Sequence, residues 1–384
     1  MKSLSAQDMV TGTGIIVSAN IIRALLRLLQ FSVIAFKFGA SFVTDAYLVA
    51  QTIPFIFRGI TQNALGSSAV PVLIDLHKKK SEKEAWLVSD SLFTLTSTFV
   101  FVLGVLVALT APALISVLAP GFSEGTRSLA VTLIRLMVPV ILFVGLSTVP
   151  WAVLHSYQHF TVPALTSLFL SLGVICFTLM WAGRIGIAVI PLGAIAGVFI
   201  EFLVLLSFTA KKKRWLKFSR VLSTPGVRQV ARLTTPRMLG LTLVRVNLIV
   251  DRIFASTLGE GYISALTYAD RLVQIPAMIV TSALGEVMLP RLSHHASEGE
   301  VGQLCHRLWR SLSVVGFFVL PLATVLVLLH EPIIRVCFQR GVFDANATRL
   351  TGVAVLFYGI GIPALSFNFM MRVFFWHCRT SGRR

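Results

Sequence analysis

The sequence predicts an all-α polytopic membrane protein of about ten transmembrane helices in two pseudo-symmetric lobes, the second of them incomplete. Three observations predict this class. Hydrophobic residues make up 55% of the 384-residue chain and charged residues only 13%, about half the charged share of a soluble domain. Most segments between polar loops are apolar runs long enough to cross a bilayer as a helix. A stretch near the start also recurs, in diverged form, in the second half of the chain.

The two copies of this repeat are residues 35–73 and 255–292. Gly39 falls opposite Gly259, and Pro71 falls opposite Pro290. In an apolar chain, a duplicated half is typical of a transporter with its substrate site between two related lobes. Because a repeat of six helices has an even number, equivalent helices keep the same orientation, which predicts a symmetry axis along the membrane normal.

The helices follow from the apolar runs and the polar loops between them. In order, the predicted spans are 13–37, 42–74, 88–117, 126–153, 160–182, 187–209, 229–257, 262–292, 303–330 and 346–372. Prolines interrupt several spans at matching places in the two halves, as at Pro54 and Pro276. Such breaks are tolerated where neighbouring helices satisfy the freed backbone groups, and they provide bending points for rocking between inward-open and outward-open states.

The basic residues predict the orientation. With these spans, 21 Lys and Arg fall on the side of the N-terminus and seven on the opposite side. Cytoplasmic loops carry an excess of Lys and Arg, so both termini are expected in the cytoplasm of a multi-pass protein of the bacterial inner membrane. The formal net charge of +18 is therefore explained by topology, and no basic soluble domain points to nucleic acid.

The same pattern divides the chain into four parts. These are an N-terminal lobe with helices 1–6 (1–210), a basic cytoplasmic linker (211–228), a partial C-terminal lobe with helices 7–10 (229–375) and an atypical polar tail (376–384). The second lobe has four helices where the first has six. Either the fold stops there or the chain is incomplete.

No catalytic or metal-binding pattern is present in the sequence. It has no Walker-type glycine loop, no nucleophile–base motif and no HExxH, so we expect a transporter rather than an enzyme. The four cysteines lack metal-ligand spacing, and no cofactor is expected. Energy would have to come from the membrane potential or from a monovalent ion gradient.

Charged residues inside the predicted spans are the candidate site residues. Arg23, Arg27 and Gln30 lie on one stripe of the first helix. Arg58 and Arg271 occupy repeat-equivalent helices, the second and the eighth. Charges at helix centres usually face a wet cavity or a charged partner.

Further polar residues complete this set. Arg245 in the seventh helix stands roughly where Arg23 stands in the first lobe. The acids within the spans are few: Asp45, Asp270, Glu201 and Glu286. The excess of cations predicts an anionic ligand, and guanidinium groups bind phosphate oxygens in pairs while staying charged when buried. Helix-end snorkelling and local ion pairing, for example between Asp270 and Arg271, are the alternatives.

Several of these segments resemble one family. They are FGASFVTDAYLVAQTIPFIFR (38–58), LAPGF (118–122), HSYQHFTVPAL (155–165), DRIFASTLGEGYISALTYADRLVQIPA (251–277), EVMLPRLS (286–293) and CFQRGVFDANAT (337–348). In this order they resemble the MurJ or MviN lipid II flippases of the multidrug/oligosaccharidyl-lipid/polysaccharide exporter superfamily. The resemblance covers residues 10–375.

The resemblance implies a function and a site. The substrate would be an undecaprenyl-pyrophosphate-linked disaccharide-pentapeptide, moved from the inner to the outer leaflet for peptidoglycan synthesis and cell wall biogenesis by a monomer in the lipid bilayer. The family's pyrophosphate-binding arginines of helices two and eight match Arg58 and Arg271. Its first-helix arginine position holds Gln30 here, with Arg27 and Arg23 as substitutes. Asn63-Ala64 stands where the family usually has Glu-Gly.

The resemblance also predicts about fourteen helices, whereas this chain has about ten. The tail WHCRTSGRR (376–384) does not resemble the family, which predicts a frameshift or a truncated reading frame. Two alternatives therefore stay open beside lipid II transport. One is an exporter of another polyprenyl-linked oligosaccharide, and the other is a truncated remnant that binds lipid headgroups without transporting them.

Overall fold

The computed structural model of the chain describes residues 6–79, 81–212, 214–274 and 301–381. Its helices are α1 (Ala6–Phe38), α2 (Phe42–Ala50), α3 (Thr52–Ile60), a π-helix (Thr61–Gly66), α4 (Ser67–Lys79), α5 (Glu82–Leu118), α6 (Glu124–Leu136), α7 (Val138–Ser156), α8 (Thr161–Thr166), α9 (Phe169–Ile185), a 3₁₀ turn (Gly186–Ala188), α10 (Val189–Ala210), α11 (Pro225–Thr257), α12 (262–274), α13 (Val301–Leu328), α14 (His330–Cys337) and α15 (Ala345–Ser381). Every regular element in these ranges is helical, which confirms the all-α class.

Four helical stretches of the described residues are long and apolar enough to cross a membrane, or five if a bent pair is one span. They are Glu82–Leu118, Glu124–Ser156, Thr161–Ala210 and Ala345–Asn368, with Leu312–Leu328 and His330–Cys337 as the pair bent by 78°. The chain is therefore a multi-pass membrane protein. The predicted span 262–292 is described only as far as residue 274, and Pro276, Glu286 and Pro290 lie outside the described residues.

The second predicted span is a series of short helices rather than one. α2 ends at Ala50, α3 begins at Thr52, and the π-helix Thr61–Gly66 separates α3 from α4. A π-helix inserts an extra residue into the turn, and such breaks are frequent at functional sites. Sequence periodicity did not predict it.

The residues up to Ser264 form one compact unit. Within it, α9 and α10 form an antiparallel hairpin in close backbone contact. A Cβ atom on Gly173 would lie 2.3 Å from the carbonyl oxygen of Gly193, and one on Gly197 would lie 2.4 Å from that of Phe169. Small residues allow this approach in membrane helices. The contact fixes the position of α10 one turn before its single charged residue, Glu201.

The basic linker is anchored along α5. Asp90, which is 5% exposed, accepts hydrogen bonds from Arg214 Nη2 at 2.7 Å and from the backbone N–H of Lys217 at 2.9 Å. The linker ends earlier than residue 228, because α11 begins at Pro225 behind the N-cap Thr224, whose side chain accepts from the N–H of Val227. Threonine before a proline at the first helical position is a strong helix start.

The residues from Ala265 onward form the second compact unit. In it α13 and α15 pack antiparallel, with Gly316 near Phe367 and Gly359 near Val327. The rings of Tyr268, Phe338 and Phe343 form a buried cluster with centroids 5.2–6.0 Å apart. The compact units divide after Ser264, whereas the repeat divides the chain at the linker, and the division into lobes by the repeat stays a prediction.

Candidate substrate-binding site

The arginine of the second predicted span forms a buried ion pair. Arg58 lies in the last turn of α3, and its Nη2 donates to both carboxylate oxygens of Glu201 in α10, at 2.9 and 3.0 Å. The Arg58 side chain is 18% exposed and that of Glu201 only 3%. The sequence analysis named Glu201 as a buried acid but not as a site residue. The signal was available, since it is the only charged residue in α10.

The polar stripe of α1 lies partly in the same cluster. Arg23 interacts electrostatically with both Arg58 and Glu201. Its Nε is buried and has no hydrogen-bond partner among the described residues. Arg27 is exposed and Gln30 is 3% exposed. Arg23 thus lies within electrostatic range of the Arg58–Glu201 pair, and these three side chains carry more positive than negative charge.

Two arginines of α11 lie along the broken second span. The Nη2 atom of Arg245 lies 2.8 Å from where a Cβ atom on Gly59 would be, so its guanidinium packs on the backbone directly beside Arg58. Arg237 donates from Nη1 to the hydroxyl oxygens of Ser67 and Ser68, both at 3.1 Å, just beyond the π-helix. Arg245 is thus placed next to Arg58.

Asp45 has a different environment from the arginine cluster. It is 1% exposed in α2, and its carboxylate accepts from the backbone N–H of Gly261 at 2.6 Å and from that of Ser264 at 2.7 Å. The Ser264 hydroxyl donates to it as well. These groups lie at the N-terminal end of α12, where backbone N–H groups have no partners within the helix. Asp45 therefore caps α12 from another helix and makes no contact of its own with Arg58.

The remaining predicted site residues lie in the second unit. Arg271 Nη1 is 3.7 Å from Asp270 Oδ2, and Gln274 Nε2 donates to Asp270 Oδ1 at 2.6 Å. Asp270 is 39% exposed and Arg271 is 22% exposed. The structural pairing that the sequence left open is therefore present.

An apolar cavity of about 460 Å³ borders α3 in the first unit. It is lined by Phe57, Ile60, Thr61, Leu65, Leu92, Leu95, Thr96, Phe99, Leu103, Val227, Val230, Ala231, Thr234, Thr235 and Met238. Because these walls carry no charged group, the cavity suits hydrocarbon and not phosphate. Among the described residues no cluster of three or more His, Cys, Asp or Glu side chains could hold a metal ion.

The sequence profile of a family described as "Lipid II flippase MurJ" matches residues 34–380. The chain is 29% identical over 367 residues to the lipid II flippase MurJ of Burkholderia cenocepacia, covering 90% of this chain and 71% of that protein. It is 28% identical over 371 residues to the probable lipid II flippase MurJ of Buchnera aphidicola subsp. Acyrthosiphon pisum, covering 94% and 73%.

Solved structures share the fold. A lipid II flippase MurJ in an inward closed conformation superposes with a TM-score of 0.84 at 24% identity, covering 95% of this chain and 76% of that chain. An inward-facing multidrug resistance MATE family transporter of the MOP superfamily superposes with a TM-score of 0.75 at 12% identity, covering 94% and 82%. The chain thus has the helical architecture of these transporters.

Proposed function

We propose that this chain, since it belongs to the lipid II flippase MurJ family, moves lipid II from the inner to the outer leaflet of the bacterial inner membrane. The observation that carries the proposal is the cluster of Arg58, Arg23 and Glu201 inside the first unit. Two guanidinium groups around one carboxylate leave a net positive charge in a membrane interior, where an unbalanced charge is costly. A pyrophosphate group supplies the missing negative charge.

The chemistry of the arginines suits this ligand. A guanidinium presents a planar fork of donors that matches two phosphate oxygens, and it stays protonated when buried. The proposed ligands of the pyrophosphate are the arginines that the sequence analysis singled out, namely Arg23, Arg27, Arg58 and Arg271. Arg245 adds positive charge beside Arg58, and Gln30 offers an uncharged donor on the Arg27 stripe.

The transport step is proposed to follow alternating access, with both termini in the cytoplasm and the monomer as the working unit. Breaks such as the π-helix of the second span and the 78° bend after Leu328 give the helices places to bend. Asp45 and Asp270, which bind neighbouring groups at or near α12, are proposed to take part in gating. Coupling to the membrane potential or to a monovalent ion is proposed as the energy source.

Arginine-to-alanine variants test this function. Arg58→Ala and Arg271→Ala should fail to support growth of cells depleted of their own flippase, because each removes a pyrophosphate ligand. Arg335→Ala is the matched control, since Arg335 is 62% exposed and pairs only with Glu331 of its own helix in the described structure. Full complementation by both Arg58→Ala and Arg271→Ala, at normal protein levels, would overturn the arginine site.

A further inference from the structure

The Arg58–Glu201 pair joins two helices that are far apart in the sequence. The two residues are 143 positions apart, and the carboxylate is nearly inaccessible. No other charged residue of α10 could balance Glu201, so Arg58 and the neighbouring Arg23 are its counter-charges. The pair therefore depends entirely on contacts made between helices.

Stability alone does not explain such a pair. Burying two charges removes their hydration, and well-packed hydrophobic replacements of a buried pair are often neutral or stabilising. An isolated acid in an otherwise apolar helix is therefore expected to have a functional reason. Its position, directly on an arginine that is proposed to bind phosphate, suggests what the reason is.

We propose that Glu201 is a resident counter-anion, which holds Arg58 while the site is empty, competes with the pyrophosphate for it and promotes release of the lipid. This proposal rests on the proposed function, because it assumes that Arg58 is a ligand of the pyrophosphate. Glu201 is thus a residue that sets affinity and release.

The geometry of the contact supports competition. Both carboxylate oxygens of Glu201 contact Nη2 of Arg58. Nη2 takes part in both two-pronged faces of a guanidinium, side-on together with Nε and end-on together with Nη1. A phosphate approaching Arg58 therefore meets a carboxylate at this nitrogen, and the two anions repel each other most strongly where water is excluded.

Arg23 explains how the pyrophosphate can displace Glu201 from Arg58. Its Nε is buried without a hydrogen-bond partner among the described residues, and it lies within the electrostatic reach of Arg58 and Glu201. A pyrophosphate carries more negative charge than one carboxylate and can contact both arginines at once. Loading would then turn Arg58 from Glu201 to the phosphate, and return of Arg58 to Glu201 would expel the lipid.

The test is binding of undecaprenyl pyrophosphate to the full chain in lipid nanodiscs, with Glu201→Gln as the main variant. Removing the competing charge should lower the Kd roughly tenfold, mainly through a slower dissociation rate. Complementation of flippase-depleted cells should fall despite the tighter binding, because release is slowed. Glu331→Gln is the matched control, since Glu331 pairs with Arg335 at the same 2.9 Å but is 50% exposed, and it should leave the Kd unchanged.

Unchanged or weaker binding in a folded Glu201→Gln protein would overturn the proposal, since Glu201 would then orient Arg58 and not compete for it. Thermal melting shows whether the variant is folded. If Glu201→Gln does not fold, Glu201→Asp is the second variant. It keeps the charge on a shorter side chain that binds Arg58 less tightly. It should lower the Kd by roughly threefold, and an unchanged or higher Kd would overturn the proposal in the same way.

Failure of the proposed function gives a different result. If wild type does not bind the probe, or if Arg58→Ala binds it as well as wild type, then the arginine site itself is wrong and the role of Glu201 falls with it. Binding that depends on Arg58 but does not tighten in Glu201→Gln overturns only the role of Glu201.

Discussion

Two carboxylates in the first unit, Asp45 and Glu201, are equally well buried but bind different kinds of donor. Asp45 is 1% exposed and accepts from the backbone of Gly261 and Ser264, whereas Glu201 is 2% exposed and accepts from the side chain of Arg58. Backbone donors at the start of a helix cannot turn away unless the helix moves or unwinds. An arginine side chain can rotate toward another anion. The first carboxylate is therefore released only if these backbone groups move, whereas the second can be exchanged by rotation of one side chain.

This difference separates structure from function among the buried acids. A carboxylate on fixed donors contributes to stability, and its removal leaves buried N–H groups without acceptors. A carboxylate on a single mobile cation contributes less to the fold but controls what that cation can bind. We expect Asp45 variants to lose folded protein and Glu201 variants to change ligand binding.

The largest expected effect is the loss of Asp45. In Asp45→Ala three hydrogen bonds disappear at the start of α12, two of them to buried backbone N–H groups. The free energy of unfolding should fall by about 3 kcal/mol or more, since each orphaned buried donor costs about 1–3 kcal/mol. Thermal melting of the purified protein in detergent measures this.

Asp45→Asn refines the same test. The amide keeps one acceptor oxygen but lacks the charge, so its cost should be smaller than that of alanine. If Asp45→Ala instead melts like wild type and only transport is lost, then Asp45 is as exchangeable as Glu201 and the comparison fails.

A smaller effect is expected one turn before Glu201. In Gly197→Ala the new Cβ would lie 2.4 Å from the carbonyl oxygen of Phe169, so α10 must shift away from α9. Overpacking of this kind costs about 1–3 kcal/mol, and it also moves Glu201 relative to Arg58. Melting temperature and affinity for undecaprenyl pyrophosphate should therefore change together.

Gly183→Ala is the matched control for that variant. It makes the same substitution in α9, where a Cβ atom meets nothing within 4 Å. It should change neither property. If Gly197→Ala lowers the melting temperature but leaves the affinity as in wild type, then the position of Glu201 does not govern the site.

The sequence predicted much of the fold because each helix of a membrane protein is encoded by a local apolar run. The start of α11 shows how local that signal is, since Thr224 and Pro225 mark it directly. The π-helix at Thr61–Gly66 was missed, because it lies inside one long helical segment and the extra residue per turn leaves no compositional trace. The bend after Leu328 lies close to the predicted end of the ninth span at residue 330, where His330, Glu331 and Pro332 interrupt the apolar run. The short helix α14 that follows it was not predicted.

The sequence identified the charged residues of the candidate site but not which of them pair. Arg23 and Arg58 stand out as charges in apolar segments, whereas their partner depends on a contact across 143 residues that no local pattern encodes. Asp45 illustrates the opposite problem. Its charge suggested a cavity residue, but the structure places it on the backbone of a helix start more than 200 residues away.

The smallest expected effect concerns the carboxylate of Glu82, at the N-terminal end of α5. Tyr157 donates from its hydroxyl to Glu82 Oε1 at 3.0 Å. Burial, with the hydrogen bond to Glu82 and its negative charge, raises the pKa of Tyr157 from 10.0 to about 12. The neutral phenol is therefore favoured in the folded protein, and its contribution to stability is fully present below pH 10 and is lost as the pH rises toward 12.

Tyr157→Phe should lower the free energy of unfolding by about 1 kcal/mol at neutral pH, the usual net value of one hydrogen bond. The gap between wild type and variant should then narrow between pH 10 and 12 in a pH series of melting curves. Glu82→Gln removes the charge but keeps an acceptor, so the pKa of Tyr157 in the folded protein should be raised less. The loss of stability above pH 10 should therefore be smaller, and end at a lower pH, than in wild type. If the melting temperatures of wild type and Tyr157→Phe change in parallel with pH, then Glu82, unlike Asp45 and Glu201, does not measurably stabilise its hydrogen-bond partner.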